Sequence, residues 1–154
     1  AVPQEFQTEF KVINLINGYR MRGHLFTKTN PVRERRTYTP TLAIENFGLA
    51  ESDLNTVFQA GTQIGIGPAK LKDIIAHLQQ TYCESIGVEY MYIRNAEIVN
   101  WLQSKMEGSK NTPKFSADEK KTILGKLNEA TGSERCLPEA RGGRARIRFI
   151  VYFF

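Results

Sequence analysis

Few side chains in this sequence are suited to metal binding or nucleophilic catalysis. The chain has two histidines and two cysteines, Cys83 and Cys136. A zinc site needs about four converging Cys, His or carboxylate ligands, and a cysteine nucleophile needs a nearby base that favours the thiolate. His77 precedes Cys83 by six residues on a predicted helix, so the two side chains point to different faces. We therefore predict no metal site and no catalytic residue, and interpret Cys83 as a small buried apolar residue.

A glycine-rich segment at residues 65–70 (GIGPAK) precedes a predicted helix. Backbone N–H groups at such a position can bind phosphate. The segment lacks the Gly-Lys-Ser/Thr ending of a Walker motif and the third glycine of the dinucleotide-binding motif. We therefore interpret it as a tight turn and predict no cofactor-binding residue.

Basic residues cluster in two stretches of a chain whose formal net charge is +5. Residues 20–36 carry six basic side chains against one acid, and residues 135–148 carry five arginines against one acid. The string at residues 141–144 (RGGR) resembles an RGG segment, so a basic nucleic-acid binder is one alternative. The other basic residues are scattered over helical faces, which favours a solvated surface.

Apolar periodicity predicts a mainly α fold with about five helices, one short extended or strand segment and an irregular tail. The residues that indicate the first helix are Phe6, Phe10, Ile13, Ile16 and Tyr19. The predicted helices lie near residues 5–21, 49–58, 68–82, 95–107 and 116–132, and the extended segment lies at 86–93.

Several local signals set the expected helix ends. Pro68 suits a first helical turn, Asn95 suits an N-cap, and residues 116–119 (SADE) form a capping box. Gly132 is the expected end of the last helix. From residue 135 onward the periodicity disappears, so we predict a boundary after residue 134.

The sequence also bears on the compartment. Two cysteines form one bridge at most, which favours a reducing compartment. The first residues show no secretory signal. The apolar run at residues 147–154 is interrupted by Arg148 and is shorter than the roughly 18 residues of a membrane span, so no transmembrane segment is expected.

Longer strings resemble a known family. Residues 12–24 (VINLINGYRMRGH), with NP at 30–31, are similar to the N-terminal part of the thiamine-diphosphate-dependent E1 component of 2-oxoglutarate dehydrogenase. Residues 80–91 (QTYCESIGVEYM) continue the resemblance, and within them residues 82–91 carry its most specific string. Later strings follow in the same order, so the resemblance covers residues 12–134.

The resemblance implies a role in oxidative decarboxylation. Enzymes of this family decarboxylate 2-oxoglutarate on thiamine diphosphate and Mg²⁺ and pass the succinyl group to a lipoyl group on the E2 component. The Gly-Asp-Gly cofactor motif and the His-Arg-Gly-Arg-Leu-Asn active-site string of the family do not occur in this sequence. We therefore expect an N-terminal helical region at 1–134 that neither binds cofactor nor catalyses alone, followed by a divergent Arg/Gly-rich and aromatic tail at 135–154.

The same resemblance implies the partners and the location. The expected partners are the remainder of the E1 core, a second E1 subunit and the lipoyl-bearing E2 component, in the bacterial cytoplasm or the mitochondrial matrix. The alternative is a free-standing helical interaction module. An exposed apolar patch larger than a few hundred Å² would favour a region that packs on a larger enzyme.

Five residues are candidates for contact with the E1 core. Tyr82, Glu89 and Tyr90 have polar tips on otherwise apolar segments, and such tips usually find partners when buried. Hydrogen bonds within this domain are an equally good explanation. Arg22 and His24 lie at the end of the first predicted helix, where the helix dipole already favours positive charge; binding a carboxylate or phosphate of another subunit is the alternative.

Overall fold

Helical spacing of apolar residues produces the main elements of the fold. The computed structural model describes the main chain of residues 4–29, 32 and 42–140, and the side chains of residues 6–29, 32 and 42–132. These residues form four α-helices, several 3₁₀ turns and a two-stranded sheet, so the predicted mainly α class is confirmed. The elements are α1 (Gln4–Arg22), β1 (Val57–Phe58), β2 (Ala69–Lys70), α2 (Leu71–Tyr82), α3 (Ala96–Ser109) and α4 (Ala117–Ala140).

The chain divides into two compact units, residues 1–113 and 114–154. The predicted boundary after residue 134 stays a prediction, and residues 141–154 of the predicted tail lie outside the described residues. Among the described helices, none combines the length and apolar character needed to cross a membrane.

The core of the first unit forms where α1 packs on α2. The inner face of α1 carries side chains at the i, i+3, i+4, i+7 spacing of a buried helical stripe. These residues are Val12, Leu15, Ile16 and Tyr19, and they join Leu71, Ile74 and Leu78 of α2 in one cluster. The predicted stripe was wrong at its start, because Phe6 and Phe10 are exposed. Helical spacing places them on the side of α1 opposite the stripe that begins at Val12.

Residues 49–70 are a compact connection rather than a helix. The short helix predicted near residues 49–58 is instead a 3₁₀ turn (Glu51–Asn55) followed by β1. β1 pairs antiparallel with β2, and Val57 lies opposite Lys70. Because β2 uses the two residues after Pro68, α2 begins at Leu71 rather than at Pro68. Residues 65–68 form a turn, as predicted, with left-handed Gly65 and Gly67, and residues 69–70 of the predicted turn form β2 instead.

Gly61 is packed directly against the main chain of this turn. A Cβ built on Gly61 would overlap the carbonyl oxygen of Gly67. We expect Gly61→Ala to lower the free energy of unfolding by about 1–3 kcal/mol, which is typical of overpacking a tight interior. Urea unfolding checks this. The matched control is Gly108→Ala, on an exposed part of α3 where a Cβ meets nothing within 4 Å; helix propensity favours alanine there by up to about 1 kcal/mol. Equal stability of the two variants would contradict the packing.

The predicted N-terminal caps at Asn95 and Ser116 are confirmed. Asn95 Oδ1 accepts from the main-chain N–H of Glu97 at 2.9 Å. Ser116 and Glu119 form the reciprocal capping box at the start of α4, with Ser116 N–H donating to Glu119 Oε2 at 2.7 Å and Glu119 N–H donating to Ser116 Oγ at 3.3 Å. The predicted end at Gly132 was wrong, because α4 continues to Ala140. Glycine weakens a helix interior by only about 1 kcal/mol and does not by itself stop it.

Candidate functional site

A buried ion pair joins α1 to α3. Arg20 Nε donates to Glu107 Oε1 at 2.8 Å, and a terminal nitrogen of the same guanidinium donates to Glu107 Oε2 at 2.9 Å. The two side chains are 9% and 4% exposed. The guanidinium also reaches the Gln63 carbonyl at 3.3 Å and Asn17 Oδ1 at 3.4 Å. The bidentate ion pair and these further hydrogen bonds offset the free-energy cost of removing both charges from water.

Two buried tyrosines extend the pair. Tyr82 donates its phenol proton to Glu107 Oε1 at 2.7 Å, and the phenol oxygens of Tyr82 and Tyr90 lie 3.1 Å apart. Their rings are nearly parallel, with an interplanar angle of 11° and centroids 6.5 Å apart. One carboxylate of α3 therefore connects α1, α2 and the loop that follows α2. We name Arg20, Glu107, Tyr82 and Tyr90 the Arg20–Glu107 network.

The electrostatics keep the two tyrosines of the network neutral and Arg20 charged. Burial raises the pKa of Tyr82, and the negative charge of Glu107 raises it further. Burial also raises the pKa of Tyr90. Burial alone would lower the pKa of Arg20, but the hydrogen bond and the charge of Glu107 outweigh it and raise that pKa. Both phenols therefore stay neutral, and the network is suited to holding elements together rather than to proton transfer.

Helix phase explains how the sequence brings these residues together. Arg20 follows Ile16 by four residues and so falls on the buried face of α1. Glu107 lies on the α3 face that also carries the half-buried Val99 and the buried Met106. Tyr82 ends α2 directly against Gly23, where a Cβ would collide with the Tyr82 Cβ.

Of the five predicted contact residues, the structure brings Tyr82 and Tyr90 into the network. Glu89 is exposed, although it precedes the buried Tyr90. Arg22 and His24 are half-buried at the end of α1. Arg22 Nε is buried without a hydrogen-bond partner among the described residues, and the His24 carbonyl accepts from Thr27 Oγ1 at 2.9 Å. These three residues lie outside the network.

The sequence reasoning missed Arg20 and Glu107. Arg20 falls within the basic stretch at residues 20–36, which favours a solvated surface, whereas its side chain is buried and paired with Glu107. The spacing of the two residues did indicate burial. Arg20 lies four residues after Ile16 on the apolar face of α1, and Glu107 lies eight residues after Val99 on the apolar face of α3. A charged residue in phase with an apolar stripe indicates a buried partner of opposite charge.

The loop at residues 83–95 is anchored by Tyr90 and exposes the residues beside it. Ile93 N–H donates to the Tyr90 carbonyl at 3.0 Å, and Gln103 Nε2 of α3 lies 3.8 Å from Met91 Sδ. Tyr92 is 75% exposed. The exposed large apolar residues of this loop and of the following helix are Ile86, Met91, Tyr92, Ile98 and Trp101. We name these five residues the apolar set.

Cys83 lines a cavity of about 400 Å³ together with Tyr19, Phe26 and Leu42. The thiol is half-buried, and burial raises its pKa to about 11. At neutral pH the thiolate is scarce, so the group is a poor nucleophile. The described residues contain no group of three His, Cys, Asp or Glu side chains placed to hold a metal ion.

The chain is similar to known E1 components over most of its length. It is 37% identical to the 2-oxoglutarate dehydrogenase E1 component of Haemophilus influenzae over 131 residues, which are 82% of this chain and 14% of that protein. It is 35% identical to the E1 component of Azotobacter vinelandii over 140 residues, 90% of this chain and 15% of that protein. It is 32% identical to the E1 component of Brucella anthropi over 147 residues, which are 94% of this chain and 15% of that protein.

No protein-family model matches the chain. The chain spans about one seventh of the length of the curated relatives that it matches. All four residues of the Arg20–Glu107 network lie within the predicted range of resemblance, residues 12–134. The chain is therefore a relative of 2-oxoglutarate dehydrogenase E1 components and corresponds to a small N-terminal part of them, as the strings in its sequence indicated.

Proposed function

We propose that the chain serves as the N-terminal region of a 2-oxoglutarate dehydrogenase E1 component, that it packs on the catalytic core, and that it is not catalytic alone. The observation that carries this proposal is the similarity over 82% or more of the chain to only about one seventh of each relative. The sequence has neither the Gly-Asp-Gly motif nor the His-Arg-Gly-Arg-Leu-Asn string of the family.

The activity belongs to the whole enzyme. That activity is the oxidative decarboxylation of 2-oxoglutarate, with succinyl transfer to a lipoyl group of the E2 component in the tricarboxylic acid cycle. Thiamine diphosphate and Mg²⁺ would be held by residues of the core outside this chain. The partners of this region are then the core, the second subunit of the E1 homodimer and, through the assembled enzyme, E2. The location is that of the enzyme: the bacterial cytoplasm or the mitochondrial matrix.

The apolar set is the surface that we assign to the core. Tyr90 anchors the loop at residues 83–95 through its contact with Tyr82, and the adjacent Met91 and Tyr92 are exposed. Five large apolar side chains exposed within residues 86–101 favour an interaction surface. A preorganised surface loses less conformational entropy on docking.

Polar residues beside the apolar set suit the edge of that interface. Glu89 and Arg94 are exposed on the same loop, and a polar rim around an apolar centre is typical of protein interfaces. Arg22 and His24 stay candidates for polar contacts with the core. Tyr82 contributes by holding Tyr90 and not by direct contact, since it is buried within the first unit.

Titration of the isolated chain tests whether it acts alone. Isothermal titration with thiamine diphosphate and Mg²⁺ is run beside an assay for 2-oxoglutarate decarboxylation, with the full-length Azotobacter vinelandii E1 component as positive control. We expect no binding heat and no turnover from the chain. Saturable binding with turnover would overturn the proposal, because a complete site would then lie within these residues.

A further inference from the structure

His77 is a buried titratable side chain that the proposed function does not use. It lies on the inner face of α2 and is 6% exposed. Both ring nitrogens are buried, and neither has a hydrogen-bond partner among the described residues. A buried imidazole without a close hydrogen-bond partner is tolerated as the neutral ring, but its protonated form would carry a charge away from water that Glu107 offsets only in part.

The residues around His77 fasten α2 to the end of α3. Thr81 Oγ1 donates to the His77 carbonyl at 2.8 Å, and Asn111 Nδ2 donates to the Thr81 carbonyl at 2.9 Å. Lys110 and Asn111 terminate α3 in the left-handed conformation, each with φ of 52°. Asparagine adopts this conformation fairly readily, but lysine does so rarely, and at Lys110 it persists only where surrounding contacts hold it.

Charges from α3 act on the ring in opposite senses. Burial lowers the pKa of His77, and the positive charge of Lys110 lowers it further; the main-chain carbonyl and the carboxylate of Glu107 oppose them. Arg20 is the charge that α1 brings to this region, and it is already bound to Glu107. Among the described residues, the other elements that pack on α2 contribute no charge to this shift.

We propose that His77 makes the α2–α3 junction sensitive to acid. Protonation of the ring places a second cation beside Lys110 and next to the ion pair of Arg20 and Glu107. The end of α3 then loosens, and with it the support of Tyr90 and of the apolar set. This inference rests on the proposed function only for its consequence, which is weaker docking on the E1 core at low pH.

The pH window follows from the direction of the shift. The usual pKa of histidine is about 6.5, and that of His77 in the folded chain is lower. As the pH falls below about 6.5, the unfolded chain takes up the proton first, so the folded state loses stability; above that pH the stability is complete. At pH 5.5 the folding equilibrium constant is expected to be lower than at pH 7.5, by at most roughly tenfold, which is the limit for a ring that stays neutral in the folded chain.

Proton NMR of the full chain tests the first step without any change at His77. The chain has two histidines, and His24→Gln assigns their resonances. We expect the His77 resonance to titrate below pH 6.5. A His77 that titrates at or above pH 6.5 would overturn the proposal.

Hydrogen exchange tests the structural step. Protection of the amides of residues 102–109 is measured at pH 7.5 and 5.5 and corrected for the intrinsic exchange rate. We expect lower protection at pH 5.5 in the parent chain, by up to roughly tenfold, and no such change in His77→Gln, which cannot take up a proton in this range. Persistence of the change in His77→Gln would refute the assignment. If His77→Gln does not fold, His77→Asn takes its place, and the NMR titration still decides.

These experiments use the chain without an E1 core. Their failure would leave the E1 assignment intact, and failure of the E1 assignment would leave the His77 titration as measured.

Discussion

Glu107→Leu is expected to lower the free energy of unfolding of the first unit by about 3–5 kcal/mol, which is typical when one partner of a buried ion pair is removed. Arg20 would be left charged and buried, and Tyr82 would lose its hydrogen-bond acceptor. Arg20→Met is expected to be similarly damaging. The double variant Arg20→Met/Glu107→Leu is expected to recover most of the loss, since apolar side chains of similar size replace buried ion pairs at little net cost.

Urea unfolding followed by far-ultraviolet circular dichroism measures all three variants at pH 7.5. Glu84→Leu is the matched control, because Glu84 forms an exposed ion pair with Lys28 at 3.4 Å, and exposed pairs contribute at most about 1 kcal/mol. If Glu107→Leu were no more costly than Glu84→Leu, the network would not hold the helices together. A double variant whose loss equals the sum of the single losses would mean that the two residues are not coupled.

Tyr92→Ala is expected to weaken docking on an E1 core by about 2 kcal/mol, the cost of truncating an aromatic anchor in an interface. The suitable protein is a chimera in which residues 12–134 replace the aligned segment of the Azotobacter vinelandii E1 component. In the isolated chain, Tyr92 is 75% exposed, so the same substitution should change the free energy of unfolding by less than about 0.5 kcal/mol.

The test compares the effect of Tyr92→Ala on the stability of the chimera with its effect on the stability of the isolated chain. The urea concentration that halves the activity of the chimera is compared with the unfolding midpoint of the isolated chain. Asn100→Ala, at an exposed polar position of α3, controls for changes in surface composition and should be neutral in both. If Tyr92→Ala were neutral in the chimera as well, the apolar set would not be the docking surface.

Long amphipathic helices could be predicted from the sequence because their periodicity is local. The ranges of α1 and α3 and the caps at Asn95 and Ser116 were close to the observed ones. The connection before α2 was predicted less well, since the pairing of β1 with β2 is decided by contacts between two-residue segments. No local pattern distinguishes such short strands from helical turns.

The candidate site was only half predictable. Tyr82 and Tyr90 stand out in the sequence by their polar tips, although their predicted contact with the E1 core stays a prediction. Arg20 and Glu107 are 87 residues apart, and each resembles an ordinary surface charge when taken alone. Pairing between distant charged residues depends on the packing of three elements. The family, by contrast, could be identified from strings such as residues 80–91, because an ordered set of strings is more specific than composition.

The most direct test of the central claim is the decarboxylation of 2-oxoglutarate by the chimera that carries residues 12–134. The parent Azotobacter vinelandii E1 component and the same protein with the aligned segment deleted are measured beside it, all with thiamine diphosphate and Mg²⁺. If this chain is the N-terminal region of an E1 component, the chimera should retain activity within about tenfold of the parent, a loss of about 1.4 kcal/mol, and the deletion should be inactive. An insoluble chimera, or a folded one no more active than the deletion, would contradict the assignment.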